Sequence, residues 1–297
     1  MVSLKEKVLV TLARLLLGRV VGKGTLMPRQ IPKVDFGEQF ISTSVGPSRV
    51  LVYRPLQTSS TSMPVYVNLH GGGFIMGNAE MDDVWCRIIA DKANCMVVNV
   101  DYRLAPEHKF PIALQEIYDV IKYLYYNSQQ LGIDPQRIAI GGHSAGGNLT
   151  AAICLLVRDK KEFPILTQIL DYAPLDLASD PAQKPNLPKA IPPFLARFFN
   201  MCYLHPGENT RNPLISPIFA NRFTDLPPAL VIAAEYDSLA QEERLYTKYL
   251  AASDVNVTFK EYKGAMHAFT HHGSLEVAED AWNVMITHLH QAFYSVD

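Results

Sequence analysis

The sequence predicts an α/β domain, a mostly parallel sheet with helices on its faces, and three observations predict it. Across its 297 residues, apolar runs rich in β-branched residues alternate with longer helix-like segments. Apolar residues make up 48% of the chain, enough for a substantial core. A serine bracketed by glycines stands between one apolar run and the next, and acidic and histidine residues follow later runs, where such sheets build their sites.

The elements follow in order. In MVSLKEKVLVTLARLLLGRVVGKG, Leu4, Val8, Leu12, Leu15 and Leu16 recur at helical spacing, with Lys7, Thr11, Arg14 and Gly18 opposite. This predicts an amphipathic helix packed on the protein. Arg14 interrupts the apolar run and no small-x-small cleavage site follows, against a secretion signal; no stretch is long and apolar enough to span a bilayer. A polar, turn-rich approach leads to PVYVNLH and CMVVNVDY, which read as buried strands. MDDVWCRIIADKA is a helix between them, and ALQEIYDVIKYLYYNSQQ a helix after the second. RIAIGG is the next strand, followed by a helix through GGNLTAAICLLVRDK. TQILDYAP and PALVIAAEYD continue the sheet, and EERLYTKYLAAS, VTFKEYKG and AEDAWNVMITHLHQAF close it as helix, strand and helix.

From Asp176 to about Pro217 the rhythm breaks. This stretch is rich in Pro and Asn and holds one amphipathic island, IPPFLARFFNMCYL; an insertion of that length reads as a lid. The expected organisation is one domain over 1–297, capped by about residues 1–45 and about residues 176–217.

A net charge of −2, with Lys and Arg spread along the chain, leaves no footprint for nucleic acid. Cys86, Cys95, Cys154 and Cys202 have no CxxC or metal-ligand spacing and read as free, mostly buried thiols, which favours a cytoplasmic location.

The serine stretch is IAIGGHSAGGNL. A phosphate loop needs Lys then Ser or Thr after its last glycine, but Asn148 and Leu149 follow Gly147; a dinucleotide loop needs glycine where His143 stands. Gly142-His143-Ser144-Ala145-Gly146 fits the G-x-S-x-G elbow, in which glycines admit a sharp strand-to-helix turn and the hydroxyl stands proud of the sheet. The Ala145 amide then opens the helix, facing developing negative charge. A serine needs a base, and the base an orienting carboxylate, in the order Ser, acid, His. Glu235 and Asp237 end one predicted strand, and His267 follows the next. In NLHGGGF, successive glycines after a buried strand suit a backbone oxyanion hole.

Taken together, HGGGF, DYRLAPEHKFP, GHSAGGNL, EYDSL and GAMHAF resemble the hormone-sensitive-lipase-like family of α/β-hydrolase carboxylesterases, from about Val65 to the C-terminus. The resemblance implies the α/β-hydrolase fold with a helical cap. It makes Ser144 the nucleophile, His267 the base, Asp237 its orienting acid with Glu235 in reserve, and the amides of Gly72, Gly73 and Ala145 the oxyanion hole. It implies hydrolysis of short-chain acyl esters through an acyl-enzyme, with no cofactor and no metal, and admits a homo-dimer for which the sequence shows no interface. The alternatives are an amidase or deacylase using the same three residues, or a non-catalytic small-molecule-binding homologue. Three departures stand out: His143 where many members carry Asp, DSLAQE behind the acid, and Ala268 where Gly is common.

Other groups read more simply. DYRLAPEHKFP suits a scaffold loop, with Asp101, Arg103, Glu107 and His108 held in hydrogen bonds or ion pairs. His267, His271 and His272 lack an acidic or cysteine ligand at a telling spacing, against zinc. His288 and His290, Asp82 with Asp83, and Glu242 with Glu243 read as surface groups. Phe194, Phe198, Phe199, Met201 and Tyr203 read as packing for the cap, with pocket lining as the other reading.

Overall fold

Strands without charge and rich in valine belong where both faces of a sheet are covered. In the computed structural model, which describes residues 10–15, 26–56, 62–185, 187–188 and 190–295, β3 (Met63–Leu69) and β4 (Met96–Val100) are buried at every residue. They lie side by side in parallel, and β5 (Ile133–His143), β6 (Gln168–Asp171), β7 (Ala229–Tyr236) and β8 (Val257–Met266) extend the parallel sheet beyond β3. On the other side, β1 (Val34–Thr43) and β2 (Gly46–Pro55) form an antiparallel hairpin, with β2 antiparallel to β4. The eight-stranded order is β1-β2-β4-β3-β5-β6-β7-β8, the α/β-hydrolase arrangement that the sequence implies.

Helices cover both faces. Val65, Val67 and Leu69 pack with α2 (Ile112–Tyr126) and α3 (Ala145–Lys160) on one side. Tyr66 points the other way and joins Leu51, Tyr53 and Val97 under α1 (Asp83–Lys92) and a C-terminal helix at Leu275–Tyr294, where Trp85 and Trp282 stack at 4.7 Å. This alternation follows from the two-residue period of a strand. The insertion supplies α4 (Pro193–Tyr203), and α5 (Ala240–Ala251) follows β7.

Two expectations change. The hairpin β1/β2 occupies what reads as a polar approach, so residues 34–43 belong to the sheet rather than to an N-terminal cap of about 1–45. Asp35, Glu38, Gln39 and Ser42 put polar side chains along a largely exposed edge strand, which hides its periodicity. In the N-terminal segment, Leu4, Val8 and Leu16 lie outside the described residues; within helical residues 10–15, Leu12 and Leu15 are exposed, and Val10 and Arg14 face the protein. Arg14 turns inward because carbonyl and carboxylate oxygens await it. The four cysteines are free and buried, and no helix among the described residues is long and apolar enough to cross a membrane.

Candidate active site

The elbow comes from close packing. A Cβ on Gly146 would lie 2.1 Å from the Leu69 carbonyl oxygen, and one on Gly142 would lie 2.6 Å from the same atom, so neither position admits a side chain. Between them, Ser144 is held at φ 52° and ψ −121°, in a region costly for a non-glycine residue. Its N–H donates to Asp171 O at 2.9 Å, and its C=O accepts from Asn148 N–H at 3.1 Å. The turn therefore presents the side chain rather than the backbone.

Two later loops meet that hydroxyl. Ser144 Oγ lies 2.9 Å from His267 Nε2, and His267 Nδ1 lies 2.6 Å from Asp237 Oδ2. Asp237 is 1% exposed, and its Oδ1 accepts from the Leu239 N–H at 3.1 Å. With the His267 proton on Nδ1, Nε2 accepts from the serine hydroxyl. The edge of the Tyr172 ring packs on His267 at 5.0 Å. Glu235 is engaged elsewhere: its Oε2 accepts from the Gly264 N–H at 2.7 Å.

The glycine strip is oriented by its carbonyls. Gly71 O accepts from His70 Nδ1 at 2.7 Å, and Gly72 O accepts from the Ile75 and Met76 amides at 3.2 and 3.1 Å. In a trans peptide the following N–H points opposite to the C=O, so the Gly72 and Gly73 amides are turned away from those partners. Gly72 and Gly73 have φ of 125° and 59°, and a Cβ on Gly73 would strike the Phe199 ring at 2.8 Å. Gly72, Gly73, Ser144, Ala145 and His267 line one cavity of about 960 Å³. Phe199, Leu195 and Ile191 from the insertion form an apolar part of its wall. Phe199 thus follows the lining reading, Tyr203 is buried in the core, and Phe194 and Met201 are exposed.

The scaffold loop is held as expected at Asp101, Arg103 and Glu107. Arg103 bonds to Glu116 through both its amide and its guanidinium, at 2.8 and 2.6 Å, and Asp101 holds Ala79 N–H and Arg49. Glu107 pairs with Arg14, whose guanidinium also donates to Ile75 O and Ala105 O.

Several groups that read as surface charge are buried. Asp82 is 0% exposed; its Oδ2 accepts from Asn68 Nδ2 at 2.7 Å, and its Oδ1 lies 3.1 Å from His271 Nε2 and 3.4 Å from His143 Nε2. Burial alone would raise the Asp82 carboxyl, but the two imidazoles outweigh it and hold the group below the usual carboxylate range. Glu242 pairs with Lys184 of the insertion at 2.9 Å, and burial pushes it up to about 7 against the pull of that lysine. Glu243 accepts from the Ala173 N–H at 2.8 Å. His288 is half-buried against Thr167 at 2.7 Å, whereas His290 is exposed.

His267 and His271 do not share a face, since one turns to Ser144 and the other to Asp82. Asp82, His143 and His271 do bring three ligand atoms within 4.8 Å of one another. Their lone pairs are already engaged: His143 Nε2 accepts from the Gly71 N–H at 2.9 Å, and the two rings pack against each other at 4.1 Å, tilted by 32°. The donor set fits a hydrogen-bonded cluster better than a cation. Nothing local in the sequence marks Asp82 or His271, because their partners lie on distant loops.

A family model described as alpha/beta hydrolase fold matches residues 66–271. An arylesterase of Saccharolobus solfataricus is 33% identical over 249 residues, 82% of this chain and 81% of that protein. Esterase LipI of Mycobacterium tuberculosis is 34% identical over 268 residues, 86% of this chain and 82% of that protein. Among solved structures, the hyperthermophilic esterase of Pyrobaculum calidifontis superposes with a TM-score of 0.83 at 33% identity, covering 96% of this chain and 94% of that one.

Proposed function

We propose the following chemistry for a chain that belongs to the hormone-sensitive-lipase-like family of α/β-hydrolase carboxylesterases. The protein is a serine carboxylesterase. Ser144 Oγ attacks the ester carbonyl carbon while His267 Nε2 takes its proton, and Asp237 holds the imidazole tautomer and stabilises the imidazolium. The amides of Gly72, Gly73 and Ala145 receive the oxyanion, each donor contributing on the order of 3 kcal/mol to the barrier. On collapse, the carbonyl re-forms, the C–O bond to the leaving alcohol breaks, and Nε2 returns the proton to that alcohol. Water then repeats the sequence on the acyl-enzyme, releasing the acid and free serine.

The observation that carries this reading is the continuous line Ser144 Oγ, His267, Asp237, at 2.9 and 2.6 Å. The cavity volume and the apolar wall from the insertion support small acyl esters as substrates, with helical residues 10–15 and about residues 176–217 as the cap over one domain. The free buried thiols support a cytoplasmic location. Ser144→Ala is expected to lower kcat on p-nitrophenyl acetate by about 10⁴-fold or more with an unchanged unfolding midpoint, and to abolish labelling by an organophosphonate. Turnover near that of the parent would remove Ser144 from the mechanism. Esters and anilides of matched acyl length decide between ester and amide hydrolysis.

A further inference from the structure

The three loops that carry the chemistry converge on one buried carboxylate. Asp82, at the start of α1, lies below the glycine strip after β3, the elbow after β5 and the base loop after β8. Its Oδ1 takes the Nε2 proton of His271, four residues after His267, at 3.1 Å. His271 Nδ1 then accepts from the Tyr172 hydroxyl at 3.0 Å, and the Tyr172 ring is the one packed against His267. The same Asp82 oxygen lies 3.4 Å from His143 Nε2, whose ring packs on that of His271.

That nitrogen has one lone pair, and it accepts from the Gly71 N–H at 2.9 Å. His143 is therefore neutral with its proton on Nδ1, in keeping with burial pushing the imidazole down to about 3. The bond clamps the peptide between His70 and Gly71, whose C=O end accepts from the Tyr102 hydroxyl at 2.8 Å. The ring lies flush against the strip, since a Cβ on Gly71 would meet His143 Cδ2 at 2.9 Å. The next two peptides carry the amides assigned to the oxyanion hole.

We propose that His143 is a positioning residue for the oxyanion strip, holding Gly71 through its Nε2, while Asp82 beside it holds the base loop through His271. The inference rests on the reading of Gly72 and Gly73 as oxyanion donors. An imidazole is suited to this position because a carboxylate there, as in many relatives of this family, would set a second negative charge beside Asp82.

The test compares His143→Leu, which removes the acceptor, with His143→Gln, whose Oε1 reaches the place of Nε2. With p-nitrophenyl acetate, His143→Leu is expected to lose about 10- to 100-fold in kcat with KM within about threefold, and to slow organophosphonate labelling of Ser144 similarly. His143→Gln is expected to stay within about threefold of the parent. A His143→Leu kcat within about twofold of the parent, an equal loss in His143→Gln, or a loss confined to KM overturns the proposal. If His143→Leu does not fold, the exchange decides: His143→Asp is expected to fall about 10-fold or more, and Asp82→His/His143→Asp to recover most of it. No recovery overturns the proposal. Undiminished turnover in Ser144→Ala refutes the esterase mechanism itself, whereas an inactive Ser144→Ala beside a fully active His143→Leu refutes only the positioning role.

Discussion

Glu243 is fully buried; its Oε1 holds the Ala173 N–H at 2.8 Å, and its Oε2 meets no partner. Burial pushes its carboxyl well above the ordinary range, and the neighbouring Asp237 carboxylate pushes it further. In the unfolded chain the same group ionises near pH ~4.3. The folded chain thus keeps a proton that the unfolded chain releases. Its contribution to stability is complete below about pH 4.3 and is lost as pH rises toward the folded-state value, at about 1.4 kcal/mol per pH unit. Glu243→Gln keeps the neutral shape and removes the titration. It also places an amide N–H₂ where Oε2 has no partner, an offset of about 1–3 kcal/mol that does not vary with pH. The slope of the difference is therefore the informative quantity. Urea unfolding of both proteins should show the variant gaining on the parent as pH rises between about pH 5 and about pH 7, at up to about 1.4 kcal/mol per pH unit, whatever the offset at pH 5. A difference independent of pH over that interval would mean that Glu243 is ionised in the fold, and the burial argument would be wrong.

Asp237→Asn leaves the shape of the site intact but favours the wrong His267 tautomer, so kcat should fall by about 10⁴-fold with little change in KM; a loss under about tenfold refutes the orienting role. Gly73→Ala must seat a methyl against the Phe199 ring at a positive φ of 59°, so it should cost both activity and about 1–2 kcal/mol of stability. Combining it with Phe199→Ala should return part of the stability, as measured by a double-mutant cycle; strict additivity would show that the ring is not the obstacle.

The candidate site was legible because each part is local. An elbow needs two glycines within five residues, an oxyanion strip needs glycines in succession, and the chain order of serine, acid and histidine follows the parallel sheet. The environment was less legible because it is assembled across the chain. Asp82 and His271 are 189 positions apart, and a helix window that sees Asp82 beside Asp83 assigns both to solvent. Glu242 and Glu243 misled in the same way: one meets Lys184 from the insertion, the other a backbone amide after β6. Arg14 read as the polar face of a helix, although carbonyls more than sixty residues away decide its direction. In β1 the difficulty was local: an edge strand with polar side chains carries little periodicity.

The bare Cα of Gly73 serves two neighbours at once: the strip runs past it, and the Phe199 ring of the insertion occupies the volume a methyl would take. On the proposed mechanism, reactivity and selectivity are lodged in different stretches of polypeptide. Exchanging Phe199, Leu195 or Ile191 reshapes the room offered to a guest while Ser144, His267 and Asp237 keep their own supports on the sheet. A lineage built on this plan can diversify its diet by editing one inserted helix, without relearning how to break the bond.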